Sequence, residues 1–356
     1  MKFAILNDTH AGVRNSSDIF INYQEDFYTN VFFPYLLEND IKHIVHLGDY
    51  YEHRRFINFK ALSANRKHFL DKLREYGITM DIICGNHDTY YKNTNDLNSL
   101  NELMGHYMNE VNIIHEPTVL DYDGLKLGLV PWICQDNQAE TFDFLENCKA
   151  DIIGGHFELS GFEVMRGMVL PGHGQDGVVE RLRRFELVLS GHYHTKSNQG
   201  NIHYLGSQME FFWNDAHDPK YFHVIDTETR ELLPVLNPIT LYEKIYYDDT
   251  RQDYNEYDTS VLENKFVKVV VINKTDAFTF DRFLDRIQQQ RIHDLKIQEN
   301  LNEFLGENVA DSGLEVEDTS ELLAAYVDNV ETILDKDRLK NELINLMTEA
   351  ETFEIA

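Results

Sequence analysis

Short apolar runs rich in Ile and Val recur through the first two thirds of the chain. They lie at residues 2–6, 43–47, 80–84, 111–115, 125–132, 150–154, 187–190, 202–205 and 221–226. Each has the length of a β-strand. Stretches with apolar positions at helical spacing, 59–75 and 99–108, separate the early runs. Strands alternating with helices predict a layered α/β fold. The later runs follow one another closely, and Asp123-Gly124 is a hairpin signal, so a second, more antiparallel sheet is expected.

After residue 232 the texture changes. Pro234 and Pro238 punctuate a polar, Tyr-rich connection. A strand over 266–272, a helix over 278–289 and a strand over 294–297 then predict a small β-α-β module, a domain of its own over 233–306. Residues 307–318 are acidic and contain glycine, the pattern of a linker. Beyond it, Leu322, Leu323, Tyr326, Val327 and Val330 form one apolar stripe, and Leu339, Leu343, Leu346 and Met347 form another. Two short amphipathic helices over 319–356 follow, which either pack back on the body or dock a partner.

Composition narrows the class. A chain of 356 residues, 42% hydrophobic and 12% aromatic, can bury one large core and a smaller appended one. No apolar run is long enough to span a bilayer, and the first residues read as a strand, not a signal peptide. Cys84, Cys134 and Cys148 are odd in number and form no CxxC pair, so a disulfide framework is not expected and a reducing cytoplasm is. The formal net charge of −29 either keeps the protein soluble or restricts how it meets polyanions, through bound cations, a local basic patch or a basic partner.

Five small motifs each sit at a predicted strand end: Asp8-Thr9-His10, Gly48-Asp49, Gly85-Asn86-His87-Asp88, Gly155-His156 and Gly191-His192-Tyr193-His194. Ligands of open α/β sheets collect at the carboxyl ends of the strands, so these side chains are expected on one rim. Any one motif alone is more often structural than functional, but five in sequence are hard to assign to chance. Carboxylates, imidazoles and an amide suit divalent ions of intermediate hardness; Mn²⁺ fits best, with Mg²⁺, Fe²⁺ and Zn²⁺ as alternatives. Thiolates are absent from the set, which argues against structural zinc. Seven ligands (Asp8, His10, Asp49, Asn86, His156, His192 and His194) are too many for one ion and suit two sharing a carboxylate. His173 lies in a glycine-rich loop and is left out of this set.

The order D-x-H, G-D, G-N-H-D, a lone H and G-H-x-H resembles the calcineurin-like metallophosphoesterases over roughly residues 1–230. The resemblance implies a two-sheet sandwich flanked by helices. It implies one ion on Asp8, His10, Asp49 and His194, and a second on Asp49, Asn86, His156 and His192. It also implies His87 as proton donor or transition-state stabiliser, with Asp88 orienting its ring. Asp8-Thr9-His10-Ala11-Gly12, Gly48-Asp49-Tyr50-Tyr51-Glu52-His53-Arg54, Pro131-Trp132 and the 155–162 segment resemble more closely the meiotic-recombination-eleven/SbcD nucleases, nearest to the nuclease subunits of T-even-like phage recombination endonucleases. That likeness implies a Mn²⁺-dependent exonuclease and endonuclease of recombination and repair, a homodimer. It implies a cap domain at 233–306 and an SMC-like ATPase bound by the C-terminal helices. One departure is Glu52, where many cellular members carry His.

Candidate DNA contacts are Arg54, Arg55, Lys60 and Arg66 beside the motifs, and Arg181, Arg183 and Arg184 before the last of them. Tyr50, Tyr51, Phe211, Phe212 and Trp213 either stack on bases or pack in the core. Two other readings stay open: a metallophosphatase acting on phosphoproteins or nucleotides, and a non-cleaving scaffold that regulates the ATPase.

Overall fold

The computed structural model describes residues 1–165, 168–169, 175, 177–299 and 336. The expected linker at 307–318, the C-terminal helices (but for Lys336) and His173 lie outside the described residues. In chain order the strands of the main body are β1 (Lys2–Leu6), β2 (His43–His46), β3 (Thr79–Ile83), β4 (Val111–Ile114), β5 (Thr118–Tyr122), β6 (Leu125–Val130) and β7 (Ile152–His156). A small hairpin, β8 (Glu163–Met165) with β9 (Met168–Val169), precedes β10 (Leu187–Gly191), β11 (Ser197–Gln199), β12 (Ile202–Tyr204), β13 (Tyr221–Asp226) and β14 (Leu232–Leu236).

These strands form two six-stranded sheets, ordered β14-β13-β1-β2-β3-β4 and β11-β12-β10-β7-β6-β5. The four central strands of the second sheet are parallel; only β11 and β5, at its edges, run antiparallel. The more antiparallel second sheet expected from sequence is therefore corrected. Strand spacing counts residues, and it cannot tell a hairpin from a short crossover. Asp123-Gly124 does form the β5–β6 hairpin, with both residues at positive φ, 55° and 89°.

The unbroken apolar character of the strands has a simple cause. Both faces of the first sheet are covered, so both alternating sets of side chains are apolar. Phe3, Ile5, Val45 and Leu47 face the second sheet, where Leu127, Leu129, Ile152 and Leu189 meet them. Ala4, Leu6, Ile44 and Ile82 face the helical segments 18–38 and 59–76. Each of those segments contains a π-helical turn, Tyr28–Phe32 and Arg66–Leu70. The two turns meet, and the Tyr28 and Phe69 rings pack there at 4.9 Å. Among the described residues, no helix is long and apolar enough to cross a membrane.

The expected break after residue 232 falls inside β14, which closes the edge of the first sheet beside β13. Pro234 is tolerated there because an edge strand has one side that needs no N–H donor. The smaller module follows with one strand more than the sequence showed: β15 (Tyr242–Asp248), β16 (Phe266–Asn273), the helix Ala277–Gln288 and β17 (Asp294–Gln298), all three strands parallel. Its helix covers one face through Phe280, Phe283 and Ile287. The other face meets the body, with Phe266 stacked on Phe20 at 6.0 Å and Tyr242 against Trp213 at 4.9 Å.

Glu210 ties the two parts together. Its buried carboxylate accepts from the backbone N–H groups of Leu241, at 2.5 Å, and Tyr242, at 2.9 Å. Burial pushes its pKa up to about 7 from 4.5, against the pull of these donors and of Lys220. A raised carboxyl pKa means that the folded chain holds a proton that the unfolded chain has released. Stability therefore falls as pH rises from about 4.5 through about 7. Glu210→Gln is expected to lack this loss. Its melting temperature relative to the parent should rise between pH 5 and pH 8 in parallel thermal melts, and an unchanged difference would refute the assignment.

Candidate metal centre

The motif residues stand at the carboxyl ends of β1, β2, β3, β7 and β10, and both sheets contribute. Getting side chains to turn inward there demands unusual backbone. Asp8, His10, Asp49 and His192 all have positive φ, at 47°, 45°, 55° and 90°. Such conformations cost about 1–3 kcal/mol each and persist where the surroundings over-determine them. Buried hydrogen bonds do that here. The Asp8 and His10 amides donate to the Gly48 and Asp49 carbonyls, Gln24 Nε2 holds the Thr9 carbonyl at 2.7 Å, and Gln208 Nε2 holds that of Asp8 at 3.2 Å. Two glycines let the strand ends close up. A Cβ on Gly85 would strike the Asp49 carboxylate, and one on Gly191 would sit 2.9 Å from the Leu47 carbonyl.

Asp49 occupies the middle. Its Oδ2 lies 3.2 Å from His156 Nε2 and 3.9 Å from His10 Nε2, and its Oδ1 accepts the His87 amide at 2.8 Å. On one side, Asn86 Oδ1 lies 3.0 Å from His156 Nε2 and 3.1 Å from His192 Nδ1. On the other, His10 Nε2 and His194 Nε2 face each other across 3.1 Å, with Asp8 in the same cluster. All seven residues expected from sequence are thus brought together, and Asp49 stands between the two groups.

The donor set has more lone pairs than hydrogens. His156 Nδ1 faces the Leu47 carbonyl at 2.8 Å and must donate to it. That leaves Nε2 pointing at two acceptors, Asp49 Oδ2 and Asn86 Oδ1. Something positive has to sit there, a proton or a cation. Burial opposes a charge on His156, but Asp49 and Asp8 outweigh it and raise its pKa to about 9. His10 is likewise opposed by burial and raised to about 9 by Glu52, Asp49 and Asp8. Asp49, despite its burial, is held well below the usual carboxylate range by His156, His87 and His10. Burial, then His10 and Lys220, keep His194 well below the imidazole range. Carboxylates that hold protons on imidazoles this firmly fit divalent cations in the same positions.

Several supporting residues lie outside the seven expected from sequence. Glu52 Oε2 lies 2.8 Å from His10 Nδ1, while the Glu52 carbonyl accepts from His87 Nδ1 at 2.7 Å. Asn7 Nδ2 donates to Asp8 Oδ2 at 2.5 Å, and Glu158 approaches His192 Nε2 at 3.8 Å. Lys220 is buried between Asp215 and Asp218 and donates to the His194 carbonyl at 2.9 Å. Glu52 was noted in the sequence as a departure, Asn7 and Glu158 lie within two residues of a motif, and Lys220 had no local signal.

Asp88 needs correction. It does not orient His87, because its carboxylate accepts from the amides of Tyr50, Tyr51 and Gly85 at 2.9–3.3 Å. Tyr50 and Tyr51 lie on the loop that carries Asp49, and Gly85 opens Asp88's own motif, so Asp88 ties that loop to the end of β3. The carbonyl of Glu52 holds His87 instead.

Arg181 and Arg184 also leave the candidate interface. Arg181 bonds Glu146 and stacks on Phe142, and Arg184 bonds the Leu145 and Cys148 carbonyls. They lie, with the exposed Arg183, at the amino-terminal ends of β7 and β10, opposite the metal rim. Arg54 and Arg55 follow Glu52 at the rim, and the Arg55 guanidinium lies over the Tyr90 ring at 5.8 Å. Tyr50, Tyr51, Phe211 and Trp213 are buried in the core and present no ring to a base; Phe212 is half-buried.

An imidazole ligand held by a carboxylate binds its ion about 10–100-fold more tightly than one without. Glu52→Gln is therefore expected to weaken divalent-cation binding by about that factor in a calorimetric titration of the apo-protein. Binding at parental affinity would rule out this role.

A model of the calcineurin-like phosphoesterase family matches residues 1–196. Exonuclease subunit 1 of Enterobacteria phage T4 is 29% identical over 340 residues, 95% of this chain and 95% of its own. Solved structures are more distant. An archaeal phosphodiesterase covers 67% of this chain and 100% of its own at 14% identity, with a TM-score of 0.33. The glutamine-dependent NAD⁺ synthetase of Acinetobacter baumannii covers 90% and 70% at 11% identity, with a TM-score of 0.29. Likenesses this loose carry no argument.

Proposed function

The chain belongs to the calcineurin-like phosphoesterase family, and on that premise we propose that it is the nuclease subunit of a phage recombination and repair complex, hydrolysing phosphodiester bonds of DNA. The observation that carries the reading is Asp49 between two groups of donors, in a chain collinear with a phage exonuclease subunit over nearly its whole length. Asp8, His10, Asp49 and His194 would hold one ion, and Asp49, Asn86, His156 and His192 the other, Mn²⁺ being the best match to the ligand types. Such a pair supplies a nucleophile at neutral pH and neutralises charge on both the attacking and the leaving oxygen.

The chain's own residues do the rest. Glu52 and Asn7 aim His10 and Asp8. The Glu52 carbonyl fixes a hydrogen on His87 Nδ1, so the proton that His87 gives to a leaving oxygen is carried on Nε2. The module at residues 242–298 sits beside the segment that supports His194 and serves as a cap that guides DNA to the rim. We further propose that the chain acts as a homodimer and that its C-terminal stripes dock an SMC-like ATPase.

Purified protein with Mn²⁺ is expected to degrade linear duplex DNA as well as a small phosphodiester. His87→Ala should lower the DNA rate by about 10²–10⁴-fold with metal content retained, while Asp8→Asn should lose an ion. Cleavage of the small diester with DNA left intact would instead favour a phosphatase, and no cleavage of either, with the ATPase present, a scaffold. Deleting the residues after 310 should weaken ATPase binding in a pull-down and spare intrinsic cleavage. Unchanged binding would remove the assignment of the stripes.

A further inference from the structure

Just past the Asp8-Thr9-His10 turn the backbone does what L-residues avoid. Gly12 has a φ of 101°, and Arg14, Asn15 and Ser16 follow at 54°, 55° and 57°. Three consecutive non-glycine residues in the left-handed region need firm external support. Here that support goes to one side chain. Arg14 Nε donates to the Phe211 carbonyl at 3.0 Å, and the guanidinium lies over the Phe212 ring at 4.6 Å. Phe212 in turn stacks on the metal-site residue His194, with ring centroids 5.9 Å apart and planes within 13°. Among the described residues, nothing accepts from Arg14 Nη1 or Nη2. One nitrogen aims the fork, a ring holds its plane, and two amino groups remain to donate.

We propose that Arg14 is a substrate-binding residue that grips the phosphate adjacent to the scissile one. The inference rests on the nucleic-acid reading of the site above. A scissile phosphate has to lie against the ions, and Arg14 shares the Phe212 ring with His194 without belonging to the ion cluster, which suits it to the next phosphate along the strand. A guanidinium matches two phosphate oxygens at once, and held over an aromatic face it loses little conformational freedom on binding. Charge makes the position matter. In a chain of net −29, phosphates beyond the reach of the ions need a cation at the rim, and Arg181 and Arg184 are spent at the far end of the second sheet.

The test compares duplex DNA with bis(4-nitrophenyl) phosphate, a diester with no neighbouring phosphate, on the Mn²⁺-loaded full chain. Arg14→Ala is expected to lower the ratio of kcat/KM for DNA to that for the small diester about tenfold or more, mostly through KM. It should also flatten the dependence of log KM for DNA on log salt by about one unit. Arg14→Lys keeps the charge and the backbone demand but loses the fork, so it should restore the salt slope and only part of the ratio. Mn²⁺ stoichiometry and the melting temperature report folding for each variant. An unchanged ratio with an unchanged salt slope overturns the proposal. So does an equal loss on both substrates, which would mean that Arg14 acts through the placement of His194. Wild-type protein that cleaves the small diester but not DNA defeats the nucleic-acid reading itself, and no variant is needed to see it.

Discussion

Acceptors outnumber donors where the carboxyl ends of the two sheets meet, and much else in the molecule serves that imbalance. Asp8, Asp49 and Glu52 face His10, His156 and His194, and most of these side chains are buried. Buried carboxylates are costly unless something positive answers them. With protons as the answer, His10 and His156 are held up at about 9. A divalent cation answers the same charge with fewer particles, and any ligand that binds only the folded state stabilises it by mass action. The positive-φ residues at four ligand positions and the glycines that let β2, β3, β7 and β10 close up are what that crowding requires of the backbone.

One short segment relays the demands of this site to the rest of the chain. Phe211, Phe212 and Trp213 touch His10, His194, Arg14, Tyr242 and two lysines of the smaller module in succession. Asp215 caps the segment from below by accepting the Phe211 and Phe212 amides, and it pairs with Lys220, which holds the His194 carbonyl. Breaking a buried pair of this kind costs about 3–5 kcal/mol. Core packing, docking of the smaller module and placement of the clustered rim side chains therefore share one set of residues. The fate of the aromatics follows from this: only Phe212 keeps part of its surface, because the others are committed to the core.

The charge of the chain is a poor guide to its rim. Net −29 is a property of the whole surface, whereas the cations that matter to a polyanion are those held within reach of the site. Arg181 and Arg184 lie close to a metal motif in sequence and a full strand length away in space. Arg14, with an unremarkable sequence context, is held against a ligand by an aromatic ring.

The seven side chains that cluster at the rim, the strands that deliver them and the layered α/β class were legible in the chain, because each is a local pattern. A run of β-branched residues reports a strand wherever it lies, and Asp, Asn or His at its end needs no tertiary context to be noticed. Asp88 was read as a partner of its neighbour His87, although its carboxylate had already been claimed by the loop of Asp49. The second sheet was misread because adjacency along the chain does not say whether a strand returns or crosses over, and β15 was missed because its residues, Tyr-Glu-Lys-Ile-Tyr-Tyr-Asp, look like a polar connection until Tyr242 meets Trp213. The sequence by itself determined which side chains gather at the rim. Which partners aim them, Glu52 on His10 and His87, Lys220 on His194, Phe212 under Arg14, was decided only by the tertiary structure, because those contacts join residues far apart in the chain or turn on a backbone conformation that no local pattern announces.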